Sequence, residues 1–145
     1  MRAGPGRALA TLAAMDGGTR PMADTDEPPL GDAIQIVVGA QLSAVTFVMD
    51  YWQLAFTGHI FSVLTWLSIS AGGKTIRSGE DGFRDRLCEQ IAKAVSAIEF
   101  AGKVLTITLE DKSTIRAFAR DEDYRDPCPE ALLFQSKKFK TTYVV

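Results

Sequence analysis

Hydrophobic and polar residues alternate most regularly in the second half of the chain. Leu105, Ile107 and Leu109 are separated by threonines, and a period of two places alternate side chains on opposite faces of a β-strand. The pattern predicts a strand over Val104 to Glu110 that turns at Asp111-Lys112 and returns through the alternating residues Ile115, Ala117 and Ala119. Such a hairpin buries one face and exposes the other.

Apolar segments elsewhere predict further strands. Thr57-Gly58 is typical of a tight turn, because glycine supplies the positive φ that a two-residue hairpin needs. The predicted strands before Gly72 are Leu42 to Met49, Trp52 to Phe56 and His59 to Ile69, with a corner at Asp50-Tyr51. A terminal hairpin is predicted from Ala131 to Phe134 and from Phe139 to Val145, around Ser136-Lys137-Lys138.

The same small unit occurs twice in the sequence. Leu42-Ser-Ala-Val-Thr-Phe47 is matched by Val95-Ser-Ala-Ile-Glu-Phe100 at an offset of 53 residues. Apolar positions stay in phase from Val38 to Phe56 and from Ile91 to Leu109, which predicts an internal repeat over residues 38–66 and 91–119. A repeated unit of this size buries its apolar face by packing on its neighbour.

A helical period follows the loop predicted over Ala71 to Gly79. Apolar residues at steps of three and four predict an amphipathic helix that begins near Glu80 or Asp81 and ends between Ala92 and Val95. Its apolar face comprises Phe83, Leu87, Ile91 and Val95. Ser78, three residues before Asp81, suits an N-terminal cap. The resulting fold class is α+β, mainly antiparallel, with two meander-like halves joined by one helix and a C-terminal hairpin.

Composition limits the domain organisation. The chain has 145 residues, of which 46% are hydrophobic, and this size fits one domain over residues 33–145. Residues 1–32 are rich in Gly, Pro, Ala and Asp and predict a disordered N-terminal segment, with translation starting at Met1, Met15 or Met22. The apolar run Ile60 to Ile69 is too short to span a bilayer and predicts a buried strand.

Charge and cysteine content narrow the partners and the compartment. The net charge of −2 provides no basic field for phosphates, which argues against nonspecific nucleic-acid binding. Cys88 and Cys128 lie in unrelated segments without disulfide-framework or metal-site spacing, so we expect a reduced, cytoplasmic protein.

No motif in the sequence predicts catalysis. Gly73-Lys74-Thr75 superficially ends a phosphate-binding loop, but Ser68 occupies the position of its first glycine and no helix follows at once. His59, the sole histidine, follows Gly58 and is interpreted as an exposed turn residue. The acidic pairs Glu80/Asp81 and Glu110/Asp111 suit capping and turns. We therefore expect no metal site and no cofactor.

The pattern resembles a loosely defined group of small uncharacterised bacterial proteins, some of which resemble immunity proteins that neutralise a toxin by binding it. The resemblance covers residues 38–134 and rests on Val38-Gly-x-x-Leu42, Phe83-Arg-Asp-x-Leu-Cys88 and Tyr124 before Pro129-Glu-Ala131. It departs at Asp111-Lys112, where such proteins usually have Asp-Gly. The resemblance carries no catalytic residue.

Two functional hypotheses remain open. The first is a noncatalytic binding protein of the bacterial cytosol, possessing an acidic loop that meets a basic protein partner. The predicted partner-binding residues are Asp121, Glu122, Asp123 and Asp126. The alternative is a small enzyme or ligand-binding protein whose pocket lies between the two β halves, with Trp52 or Trp66 as a wall and a buried carboxylate as a base.

Overall fold

The computed structural model describes residues 27–125 and 128–145. These residues form ten strands, two short helices and two 3₁₀ turns. The helices are α1 (Leu30–Ala33), continued by a 3₁₀ turn (Ile34–Val37), and α2 (Phe83–Cys88), and the second 3₁₀ turn is Asp121–Asp123. The strands are β1 (Leu42–Val48), β2 (Tyr51–Phe56), β3 (His59–Val63), β4 (Leu67–Ala71), β5 (Lys74–Arg77), β6 (Val95–Ala101), β7 (Val104–Leu109), β8 (Thr114–Phe118), β9 (Leu132–Ser136) and β10 (Tyr143–Val144).

The strands form two antiparallel sheets of five strands each. Sheet I has the order β10-β9-β3-β2-β1, and sheet II has the order β5-β4-β8-β7-β6. The predicted α+β class, with mainly antiparallel strands and a C-terminal hairpin, is confirmed.

One buried cluster lies between the inward faces of the two sheets. Leu54, Phe61 and Phe134 are neighbours across sheet I, and Ile69, Ile115 and Ile107 are neighbours across sheet II. All six belong to the same core cluster. The alternation read from the sequence therefore places the correct residues inward, including Ala117 and Ala119.

The two sheets are joined where β1 and β6 begin. The Gly39 amide donates to the Val95 carbonyl at 2.8 Å, and the Ala92 amide donates to the Leu42 carbonyl at 2.7 Å. A second reciprocal pair runs from the Leu42 amide to Lys93 and from the Val95 amide to Ala40. Each bond maps onto the other at the offset of 53 residues, so the junction has local two-fold symmetry.

The paired strands have the same register at this offset. β1 pairs with β2, and β6 with β7, through equivalent residues, and both pairs have a register shift at the first serine of the strand. Ser43 Oγ donates to the Ala55 carbonyl at 3.0 Å, and Ser96 Oγ donates to the equivalent Thr108 carbonyl at 3.2 Å. The two units thus share local geometry, while their origin by duplication stays a prediction.

The apolar run predicted as one strand, His59 to Ile69, is two strands in different sheets. β3 ends at Val63 and β4 begins at Leu67. Between them, the Leu64 amide donates to the Ala131 carbonyl and the hydroxyl of buried Thr65 donates to the Phe118 carbonyl. Both strands are buried, so the hydrophobic pattern gave no sign of the crossing.

Two neighbouring predictions also need correction. The segment Ala71 to Gly79 is not all loop, because Gly72-Gly73 closes a hairpin between β4 and β5, with φ of +61° and +78°. The predicted helix has only six residues, and its N-cap is Gly82 without a side-chain hydrogen bond. Single turns follow the helix as far as Ile91, and Ala92, at φ +85°, then leads into the junction.

Smaller differences occur at the ends of elements. The β1–β2 turn is Met49-Asp50 rather than Asp50-Tyr51. α1 begins at Leu30, before the boundary predicted at residue 32, and the Tyr143 hydroxyl donates to the Pro28 carbonyl. Residues 1–26 of the predicted N-terminal segment lie outside the described residues.

Candidate functional site

The acidic loop folds around the buried carboxylate of Asp123. That carboxylate accepts hydrogen bonds from Arg120 Nε at 2.7 Å, from Arg120 Nη2 at 3.1 Å and from the Arg120 amide at 3.1 Å. Trp66 Nε1 donates to Asp123 Oδ1 at 2.9 Å. The bonds from Arg120 hold the pKa of Asp123 below its usual value despite burial. Asp123 therefore stabilises the loop from within, and its oxygens do not face solvent.

The other acids of the loop are placed differently. Asp121 and Glu122 are exposed, but Asp121 lies 3.4 Å from Lys103 Nζ and Glu122 lies 3.7 Å from Arg120 Nε. Asp126 lies outside the described residues. The structure thus brings three of the four predicted partner-binding residues together, with basic neighbours that offset part of their charge.

Trp52 and Trp66, predicted as alternative pocket walls, line one open depression of about 290 Å³. Its other lining residues are Thr65, Ser78, Gly79 and Arg125. Trp52 makes edge contacts with Phe47 and Phe83 at 5.3 and 5.4 Å between ring centroids. Trp66 stacks on Phe118 at 3.9 Å, and the Arg77 guanidinium carbon lies 3.8 Å from its ring. The faces of Trp66 are therefore largely used in internal packing.

Among the residues that the structure describes, no carboxylate lines this depression to act as a general base. Asp123 is the buried carboxylate nearby, and its contacts with Arg120 and Trp66 favour a fixed, ionised structural group over a proton acceptor.

His59 is half-buried and hydrogen-bonded, which corrects its interpretation as an exposed turn residue. Its Nδ1 lies 2.8 Å from Ser136 Oγ, across the β3–β9 register, and burial lowers its pKa. Ser136 Oγ also accepts the Lys138 amide at 3.1 Å. The pair has the contact distance of a nucleophile and its base, but Ser136 is 8% exposed. This geometry indicates a bond that closes the end of sheet I.

The outer faces of the two sheets differ in chemistry. Sheet II has a mainly polar outer face, with threonine and serine along β4, β7 and β8 and the charged residues Glu99, Arg116 and Arg77 in one row. Val104 and Phe118 form an apolar pair at one end of this face, where Phe118 stacks on Trp66. The equivalent positions of sheet I hold no charged residue. We call these positions the uncharged face: Ala44, Thr46, Val48, Tyr51, Gln53, Ala55, Ile60, Ser62, Leu133, Gln135 and Val144.

Several apolar side chains of the uncharged face reach solvent. Val144 is 56% exposed, Val48 is 38% exposed and Ile60 is 36% exposed. At its centre Gln53 Nε2 donates to Ser62 Oγ at 3.2 Å. This surface was not predicted from the sequence, although one signal was present: between Asp32 and Lys74 the only Asp, Glu, Lys or Arg is Asp50.

Other classes of site find little support in residues 27–125 and 128–145. No group of three or more His, Cys, Asp and Glu side chains is arranged to hold a metal ion there. Among the same residues, no helix has the length and apolar character needed to cross a bilayer. Cys88 and Cys128 do not form a disulfide with each other.

Comparisons with protein-family models, with curated proteins and with solved structures find no match to this chain. The class of protein is therefore stated from its fold and its surfaces. It is a small α+β protein of two antiparallel sheets around one core, with one polar and one uncharged outer face.

Proposed function

We propose that this protein is a noncatalytic binding protein and that the uncharged face of sheet I is where it binds a partner protein. The carrying observation is the contrast between the two outer faces. Exposed apolar side chains grouped on one surface favour an interaction site. Val48, Ile60 and Val144 are exposed on the uncharged face, whereas sheet II carries Glu99, Arg116 and Arg77 in one row of its outer face.

The polar atoms of the uncharged face suit burial under a partner. Gln53 and Ser62 hydrogen-bond to each other, and Ser43 Oγ, at the edge of the face, is bonded to the Ala55 carbonyl. A polar group that keeps its hydrogen bond is covered at small cost, whereas an unpaired one costs about 1–3 kcal/mol. A partner that covers the centre of the face leaves the hydrogen bond between Gln53 and Ser62 intact and has to match the remaining polar atoms, such as Gln53 Oε1.

Lysines at the turn between β9 and β10 define the chemistry of the partner. Lys137, Lys138 and Lys140 are exposed at this end of sheet I. A partner with an apolar patch flanked by carboxylates would gain complementary contacts there. The resemblance over residues 38–134 favours a protein toxin as that partner, which is the immunity-type role, in the bacterial cytoplasm.

The test compares a charge placed on each outer face. Val144→Glu on β10 adds a carboxylate to the uncharged face, and Thr75→Glu on β5 does the same on the polar face of sheet II; both residues are exposed and lie on edge strands. Proteins captured from the native extract by the parent chain are identified and purified, and the affinity of each is measured for the three chains. We expect Val144→Glu to weaken binding by at least about tenfold, or ~1.4 kcal/mol, and Thr75→Glu to bind like the parent. Equal affinity of all three chains would overturn the proposal.

A ligand-binding function is the second candidate, because Trp52 and Trp66 line one depression together with Arg125. An anionic small molecule suits the single basic group. Its binding would quench tryptophan fluorescence, and Trp52→Phe would reduce the quench. A panel of anionic metabolites that leaves the fluorescence and melting temperature unchanged would remove this candidate.

A further inference from the structure

β1 and β6 are edge strands at equivalent positions of the two sheets, but the residues that lie against their outer edges differ. Sheet II ends at β6, and α1 with its 3₁₀ turn lies against this strand. Gln35 Nε2 donates to the Ile98 carbonyl at 2.8 Å, so this carbonyl points away from β7. The Gln35 side chain thereby provides a hydrogen-bond partner for one backbone group at the β6 edge.

The β1 edge lacks this cover. At the offset of 53 residues, Val45 corresponds to Ile98 and Cys88 corresponds to Gln35, and a cysteine thiol does not reproduce the amide bond. α2, the counterpart of α1, packs mainly against β4, and it reaches β1 through Arg84, whose guanidinium carbon lies 5.4 Å from the centre of the Phe47 ring. Within the described ranges, no hydrogen bond reaches the edge-facing carbonyls of Val45 and Phe47.

Natural edge strands use charges, prolines, bulges or short length for protection. β1 has one irregularity, at Ser43, and beyond it the Val45–Phe47 edge lacks these features. β1 has seven residues, and Leu42 to Met49 contains no charge, proline or glycine. On β6, by contrast, Glu99 stands at the position that Thr46 occupies on β1.

We infer that β1 pairs antiparallel with β1 of a second copy of this chain, joining two copies of sheet I into one ten-stranded sheet. The inference goes beyond the proposed function, because it uses backbone groups at the edge of the sheet and leaves its outer face open. In the register that uses the edge-facing groups of both strands, Val45 lies opposite Phe47 of the second copy and Thr46 lies opposite Thr46.

A second copy is the occupant that this register favours. It places a β-branched residue against an aromatic one twice and a threonine against a threonine once, and both are favourable cross-strand pairs. No charged side chain of β1 itself is brought against a like charge, because Leu42 to Met49 has none. An edge pair of this length buries less area than a standard stable interface, so we expect a reversible dimer whose population rises with protein concentration.

The experiment uses opposite charges at the centre of the register. Thr46 is exposed, so Thr46→Lys and Thr46→Glu change the edge without opening the core. Sedimentation velocity of the full chain is expected to show a monomer–dimer equilibrium, which each variant alone shifts to several-fold higher concentration. An equal mixture of the two variants should recover association, because unlike charges then lie opposite each other.

The matched control is Glu99→Lys at the equivalent position of β6, which should leave the equilibrium unchanged. A monomer at every concentration, or a mixture that associates no better than its components, would overturn the inference. Val144→Glu separates this result from the proposed function, since it should leave the dimer intact while it weakens partner binding.

Discussion

At the scale of single residues, a glycine and an alanine adopt similar backbone conformations at the junction between the two sheets. Gly39 has φ +94° and its equivalent Ala92 has φ +85°. Glycine adopts this region freely, whereas an L-residue is strained there by about 1–2 kcal/mol. A Cβ at position 39 would meet no atom within 4 Å, so its cost is conformational rather than steric.

Exchanging these residues should therefore move stability in opposite directions. We expect Ala92→Gly to raise the free energy of unfolding by about 0.5–1 kcal/mol and Gly39→Ala to lower it by a similar amount. Urea denaturation of both variants measures the changes. Two changes of the same sign would show that the junction is not governed by local backbone strain.

Asp123 provides a second prediction at this scale. Asp123→Asn removes the negative charge and one of the two oxygens that accept from Arg120 and Trp66, so we expect a loss of about 1–3 kcal/mol at neutral pH. Because its pKa is lowered in the folded state, its stabilising effect is present above the ordinary aspartate pKa and is lost as the pH falls through the lowered value.

The variant should accordingly be less sensitive to acid than the parent. Unfolding free energies measured from neutral to acidic pH should converge for the two chains as Asp123 becomes protonated. Asp121→Asn is the control, since Asp121 is exposed and 3.4 Å from Lys103, and its effect should be small. A constant gap between Asp123→Asn and the parent would contradict the linkage.

At the scale of elements, the equivalent strands β2 and β7 contribute matching residues to the core. Leu54 is 0% exposed and Ile107 is 1% exposed. Leu54→Ala and Ile107→Ala should each lower the free energy of unfolding by about 2–5 kcal/mol, through lost transfer energy and a cavity. Chemical denaturation tests this, with Val144→Ala as the exposed control. A cost below about 1 kcal/mol at either position would contradict equal roles in the core.

The hairpin of β4 and β5 gives a prediction about nucleotides. Lys74 begins β5 rather than preceding a helix, so the amides and helix dipole of a phosphate loop are not formed around it. Millimolar ATP with Mg²⁺ should leave the melting temperature of the parent and of Lys74→Ala unchanged. A shift that depends on Lys74 would revive the phosphate-loop interpretation.

Strands were predictable from the sequence where one face is buried and the other is exposed to solvent. Val104 to Glu110 alternates clearly, and β7 occupies Val104–Leu109. Prediction failed where tertiary contacts decide the path of the chain. The split between β3 and β4 lies within an apolar run that only Ser62, Thr65 and Ser68 interrupt. The path of the chain after α2 includes the hydrogen bond from the Ala92 amide to the Leu42 carbonyl in the other sheet.

At the scale of the whole molecule, local features of the site were less predictable than the fold. Acidic residues at 121–123 looked like one charged patch, but Trp66, 57 positions away in sequence, donates a hydrogen bond to the buried carboxylate of Asp123. The uncharged face combines residues of five strands, so it exists only once the registers of β1, β2, β3, β9 and β10 are known.

The uncharged face with its neighbouring lysines and the acidic loop predict partners of opposite charge. Reversing Lys137 and Lys138 to Glu should slow association with the partner captured in the binding test, because carboxylates are expected beside the uncharged face. Reversing Asp121 and Glu122 to Lys should leave the association rate unchanged, since this loop follows β8 of sheet II and has Lys103 and Arg120 beside it.

Association rates at low and high salt distinguish the two surfaces, because electrostatic steering acts on the rate of encounter and is screened by salt. Asp123 is kept in both variants so that the fold of the loop is preserved. If the acidic-loop variant associates more slowly and loses its salt dependence while the lysine variant behaves like the parent, the partner is basic and contacts Asp121 and Glu122. That result would replace the uncharged face of sheet I with the acidic loop as the binding surface.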